Sequence, residues 1–70
     1  MPRFCVNRMP RDSGEHEIHD TLANCPDLPD SEDRIPLGNH ASCHGAVIEA
    51  RKIYGDVDGC AYCAPDCHSR

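Results

Sequence analysis

Apolar and polar positions alternate over two short stretches near the start of the chain. Phe4 and Val6, with Cys5 between them, suit a short strand that ends at Pro10 and the Asp12-Ser13-Gly14 turn. Residues 15–20, EHEIHD, suit a second strand, with Glu15, Glu17 and His19 on one face and His16, Ile18 and Asp20 on the other. No alternation follows. Pro26, Pro29 and the acidic Asp27, Asp30, Glu32 and Asp33 predict a loop over 21–33, and Cys25 lies in it. RIPLG, residues 34–38, predicts a third strand, which Pro36 confines to a sheet edge because proline cannot donate to a ladder.

The period then changes. In SCHGAVIEARKIYG, residues 42–55, Cys43, Ala46, Val47, Ala50, Ile53 and Tyr54 fall on one face at helical spacing. Ser42 or Asn39 can cap its start, and Gly55 suits the position just past its end. Arg51 and Lys52 lie near the C-terminus, where the helix dipole favours positive charge. The expected fold class is α+β: a small antiparallel sheet of two to three strands packed on one helix, followed by a C-terminal CxxC knuckle.

With 70 residues, positions 1–70 are expected to form a single small domain. Its core is thin. Much of the 39% hydrophobic fraction is Ala and Cys, and no tryptophan is present. A domain of this size with so few large apolar groups needs a staple, either disulfides or a metal. Six cysteines supply the material for both.

Charge bears on partners and compartment. The formal net charge is -5, and residues 12–33 carry Asp12, Glu15, Glu17, Asp20, Asp27, Asp30, Glu32 and Asp33 with no Lys or Arg among them. Such a face repels phosphate, so no nucleic acid is expected as partner, whereas a protein partner remains open. The start, Met-Pro-Arg-Phe-Cys-Val-Asn-Arg-Met-Pro, shows no signal-peptide pattern, and no stretch is apolar enough to span a membrane. The expected setting is cytoplasmic, with thiols kept reduced, where clustered Cys and His point to metal binding or redox work.

The strongest chemical signal closes the chain. In DGCAYCAPDCHSR, Cys60 and Cys63 form a CxxC, the spacing at which two thiolates reach one tetrahedral ion from a tight turn. Cys67 follows at the spacing of one helical turn, so a helix from Ala64 onward places Cys63 and Cys67 on one face. A short segment rarely closes four-coordinate geometry alone, and Cys25 is the obvious remote ligand. His19, Cys67 and His68 compete for the fourth position, and one zinc ion is the expected cofactor.

His19, Cys25, the Ala46-x3-Ala50 helix and Gly59-Cys60-x2-Cys63-x-Pro65 resemble the small zinc knuckle of the Ada methylphosphotriester-repair domain and of related modules appended to competence-type nucleases. The first arm here is a longer His-x5-Cys. EHEIH, SC…AV, DGCAYC and CH also resemble a family of short, uncharacterised bacterial Cys/His-rich proteins. The knuckle resemblance implies a zinc staple. Alkyl transfer of the Ada type requires DNA, which the acidic residues disfavour.

The expected role is a zinc-stapled structural or interaction module, more a binding protein than an enzyme. One alternative is a disulfide-stapled protein, which would use Cys5 and Cys43 as well. Another is thiol redox or metal handling, against which Asp56, Asp58 and Asp66 stand, because carboxylates beside Cys60 disfavour a thiolate. Nucleophile-elbow, HExxH, Walker A and dinucleotide glycine patterns are absent. An iron-sulfur cluster would want a more compact run of cysteines.

Overall fold

The computed structural model describes residues 1–69. Strand β1 (Arg3–Asn7) turns back into β2 (His16–Asp20), and β3 (Arg34–Asn39) follows a short 3-10 turn at Ser31–Asp33. Helix α1 (Cys43–Arg51) then leads to β4 (Val57–Gly59) and a second 3-10 turn, Pro65–Cys67. The described strands form one sheet in the order β3-β1-β2-β4.

Alternation builds the two central strands. Val6 pairs with Ile18 and Phe4 with Asp20, so Phe4, Val6 and Ile18 share a face. That face packs on Cys43, Ala46 and Ala50 of α1, with Leu37 and Ala64 completing the buried cluster. Cys5 pairs with His19 on the opposite face, and both are buried as well. The β1–β2 turn is held by Gly14 N–H donating to Arg11 O, with Gly14 at φ +99°, a conformation side chains resist.

The sheet differs from expectation in two respects. It has four strands where two to three were expected, and it is mixed where an antiparallel sheet was expected: β1 is antiparallel to β2 and β3, and β4 is parallel to β2. VDG carries no alternation legible in sequence; it becomes a strand because the outer edge of β2 offers it partners. His16 N–H donates to Asp56 O at 2.9 Å and Cys60 N–H to Ile18 O at 2.9 Å. The direction follows from the crossover: α1 carries the chain across the sheet from β3, and a helical crossover returns a strand running the same way. Pro36 does lie in an edge strand, β3, as its missing N–H requires.

The helix is shorter than its apolar pattern. Regular α-helix stops at Arg51, Ile53 is 47% exposed, and Gly55 lies beyond the end. Tyr54, just past the regular helix, still donates its N–H to Ala50 O at 2.9 Å, packs against the core and stacks on His16, ring centroids 3.6 Å apart and nearly parallel. The C-terminal segment likewise forms a single 3-10 turn with Pro65 in its first turn, and Cys67 turns away from Cys63 to bond Cys43.

Gly59 marks the tightest approach in the fold. A Cβ there would lie 2.6 Å from Ala64 O and 2.7 Å from the Cys67 carbonyl carbon, both backbone atoms that cannot swing aside. Gly59→Ala is therefore expected to cost about 1–3 kcal/mol in urea denaturation. Gly55→Ala, whose Cβ meets nothing within 4 Å, is expected to be neutral or to stabilise by about 0.4–1 kcal/mol.

Candidate metal centre

Three separate pieces of chain converge on the sheet face opposite α1. His19 is placed by β2, two residues from Glu17 on the same face, and its side chain is fully buried. After β2 the chain folds back sharply: Thr21 N–H and its hydroxyl both donate to Arg3 O, and Leu22 N–H donates to Asp20 Oδ1. This return brings Cys25 Sγ to 4.0 Å from His19 Nδ1. Cys60 enters directly from the end of β4, with its Sγ 3.7 Å from Cys25 Sγ. The turn after it is closed by Ala64 N–H donating to Cys60 O, and it brings Cys63 Sγ to 3.5 Å from His19 Nδ1.

One ligand atom from each of His19, Cys25, Cys60 and Cys63 thus lies within 4.8 Å of the other three. Bonds of about 2.3 Å to sulfur and 2.0–2.1 Å to nitrogen imply tetrahedron edges of about 3.8 Å between sulfurs and about 3.6 Å between sulfur and nitrogen. The observed 3.7 Å, 3.5 Å and 4.0 Å bracket those edges. They also exceed a disulfide bond of about 2.05 Å by a wide margin. This buried cluster can hold a metal ion.

Burial favours the uncharged form of Cys25, Cys63 and His19. Burial pushes the Cys25 thiol up from its ordinary pKa, and contact with Cys60 adds to it. Burial also raises the Cys63 thiol, partly offset by the Asp20 N–H donating to its sulfur at 3.3 Å. The His19 ring is pushed down by burial, which keeps it neutral with a lone pair to give.

Glu17, which sequence reasoning passed over, completes the surroundings. His19 Nε2 is buried without a hydrogen bond and lies 3.5 Å from Glu17 Oε1, while Glu17 Oε2 accepts from Arg11 Nη1 at 2.7 Å. With Nδ1 facing the sulfurs, Nε2 carries the proton, and closure by about half an ångström makes it a donor to the carboxylate. A carboxylate behind a ligating histidine fixes its tautomer and raises its basicity. The signal was present in EHEIH: residues two apart on a strand share a face.

Of the three candidates for the fourth position, only His19 stands with Cys25, Cys60 and Cys63. Cys67 is consumed by the disulfide to Cys43. His68 Nδ1 lies 3.0 Å from Gly59 O and 3.3 Å from Asp58 Oδ2, and it does not group with the cluster's donors. Cys5, across the ladder from His19, is a buried free thiol outside the cluster. The other histidines have local partners: His16 Nδ1 contacts Asn7 O at 2.9 Å, and His40 Nε2 contacts Leu37 O at 2.7 Å.

Two substitution experiments follow, each read by chelator-competition titration. His19→Ala is expected to abolish tight stoichiometric binding, whereas His68→Ala leaves it within about threefold of wild type; the reverse ranking would make His68 the ligand. Glu17→Gln is expected to weaken binding by about 10- to 100-fold. Arg11→Ala changes it far less, since Arg11 is largely solvated and an exposed ion pair contributes little. Comparison of the chain with family models, curated proteins and solved structures finds no match, so the case for this centre rests on its geometry.

Proposed function

We propose that this protein is a small zinc module in which one ion, held by His19, Cys25, Cys60 and Cys63, staples β2, the 21–33 segment and the turn after β4. The observation that carries the reading is the near-tetrahedral spacing of one nitrogen and three sulfurs, drawn from three separate parts of the chain. Three thiolates and an imidazole suit zinc among the common divalent ions. Four protein donors leave no open position, which favours a structural over a catalytic ion. The resemblance to the Ada-type knuckle fits this role, since His19, Cys25, Cys60 and Cys63 belong to both.

Energetics point the same way. The largest fully buried side chains are Ile18, His19, Val6, Cys5 and Cys60, a small and partly polar set. Structural zinc in such modules is worth roughly 10–16 kcal/mol, against about 5–15 kcal/mol for the whole stability of an ordinary domain. The role we assign is binding of a protein partner in the cytoplasm. Nucleic acid is disfavoured by the acidic run over 12–33, which includes Glu17 and Asp20 beside the centre. No helix among the described residues is long and apolar enough to cross a membrane. Thiol redox catalysis at Cys60 and Cys63 is disfavoured because burial raises the Cys63 thiol and so depletes the reactive thiolate.

The Cys43–Cys67 bridge favours a second reading, in which disulfides staple the chain. Native mass spectrometry of the unreduced protein, with circular dichroism before and after chelation and again after reduction, separates the two. The zinc reading expects one zinc per chain, and loss of the cooperative fold when the ion is removed. A metal-free mass with the fold intact, or a fold indifferent to chelation, overturns it in favour of bridges.

A further inference from the structure

Cys43 and Cys67 lie 24 residues apart, the first opening α1 and the second ending the 65–67 turn, and they are joined as a disulfide. His44 follows Cys43 on the first turn of the helix and is exposed. One ligand atom each from Cys43, His44 and Cys67 lies within 4.8 Å of the other two, and none belongs to the His19 cluster. His44 and Cys67 also border an open groove of about 480 Å³, so two of the three donors are reached from solvent, while Cys43 lies buried beneath them. We propose that Cys43, His44 and Cys67 form a second metal site, closed while the disulfide is intact and opened by a thiol reductant, that takes a soft monovalent cation, Cu(I).

The chemistry balances in two steps. A dithiol reductant passes two electrons to the sulfur–sulfur bond, which breaks into two thiols as the reductant leaves in its own disulfide form. Cu(I) then binds with no electron transfer: each thiol releases its proton to water as its sulfur bonds the ion, and the neutral His44 ring donates a nitrogen lone pair.

Donor number and type select the ion. Zinc calls for four ligands, and among the described residues no fourth Cys, His or carboxylate groups with these three. His68 is engaged with Gly59 O and Asp58. Two thiolates and one imidazole in a three-coordinate set suit Cu(I), which soft sulfur ligands favour. Two thiolates sharing one ion through bonds of about 2.3 Å stand about 4 Å apart. The Cα atoms are 6.3 Å apart, so rotation of the side chains provides that spacing with the backbone in place. The His44 ring, which among the described residues has one hydrogen-bonding contact, Ser42 Oγ at 3.4 Å, is able to swing onto the ion. The first centre has four protein donors; the second has three, of which His44 and Cys67 face the groove.

The test titrates Cu(I) into the full-length, zinc-loaded protein under anaerobic conditions, against bicinchoninate as competitor. It is run on the oxidised protein and on protein reduced with dithiothreitol and desalted, with copper and zinc counted by native mass spectrometry. The expected result is one copper per reduced chain with zinc retained, and none in the oxidised chain. A Cys43→Ser/Cys67→Ser variant is expected to lose that copper, and His44→Ala to bind it at least tenfold more weakly. Because His44 is exposed, the latter variant reads the site even if the double variant does not fold. Equal uptake by oxidised and reduced protein, unchanged affinity in His44→Ala, or copper entering only as zinc leaves would overturn the proposal. The zinc count reads the first centre and the copper count, with its dependence on reduction and on His44, reads the second, so failure of either reading gives a different mass.

Discussion

Strand β2 is buried on both faces, and everything else is arranged to satisfy it. Ile18 points into the apolar cluster under α1, and one residue later His19 points into the sulfur cluster on the other side. An apolar side chain gains free energy simply by leaving water, but an imidazole loses hydrogen bonds that must be replaced. The first face therefore closes with Ala46 and Ala50, small residues that let the helix lie close. The second needs Cys25, Cys60 and Cys63, with Glu17 beyond the ring. β4 reaches these sulfurs because its ladder to β2 sets Gly59 against Ile18, and the next residue is Cys60.

That second face is the expensive one. Thiols and a neutral ring buried together have few partners, and His19 Nε2 makes no hydrogen bond, with Glu17 Oε1 3.5 Å away. A bound cation turns each cost into a bond: the sulfurs become thiolates, and the ring acquires a partner on one nitrogen and a reason to donate from the other. Arg11 and Glu17 extend the network outward, placing positive charge behind the carboxylate that faces the ring. The acidic run over 12–33 is therefore more than a solvated surface, since its Glu17 is largely buried at the centre.

Much of this was legible. Alternation in EHEIHD placed Ile18 and His19 on opposite faces, the CxxC announced a chelating turn, and Cys25 in a loop after the histidine strand was the natural remote donor. Three features were not. Val57–Gly59 carries too few residues to show a period, and its strand character comes from the edge it joins. The apolar spacing continues through Tyr54, yet regular helix stops at Arg51 and the chain leaves by a turn in which Tyr54 N–H still donates to Ala50 O. Cys67 looked like a partner of Cys63 because the spacing fits a helix, and the chain makes a 3-10 turn there instead.

The sequence by itself determined the local terms: a thin core that calls for a staple, strands whose side chains alternate, and two cysteines spaced to chelate from one turn. These depend on neighbours a few residues apart, where bond geometry restricts the outcome. Only the tertiary structure decided which distant groups meet, with His19 taking the place open to Cys67 and His68, and Cys67 crossing to Cys43. That choice turns on the register of β4 against β2 and on the path of α1 over the sheet. Both are long-range pairings, whose free energy appears only when the whole sheet has formed.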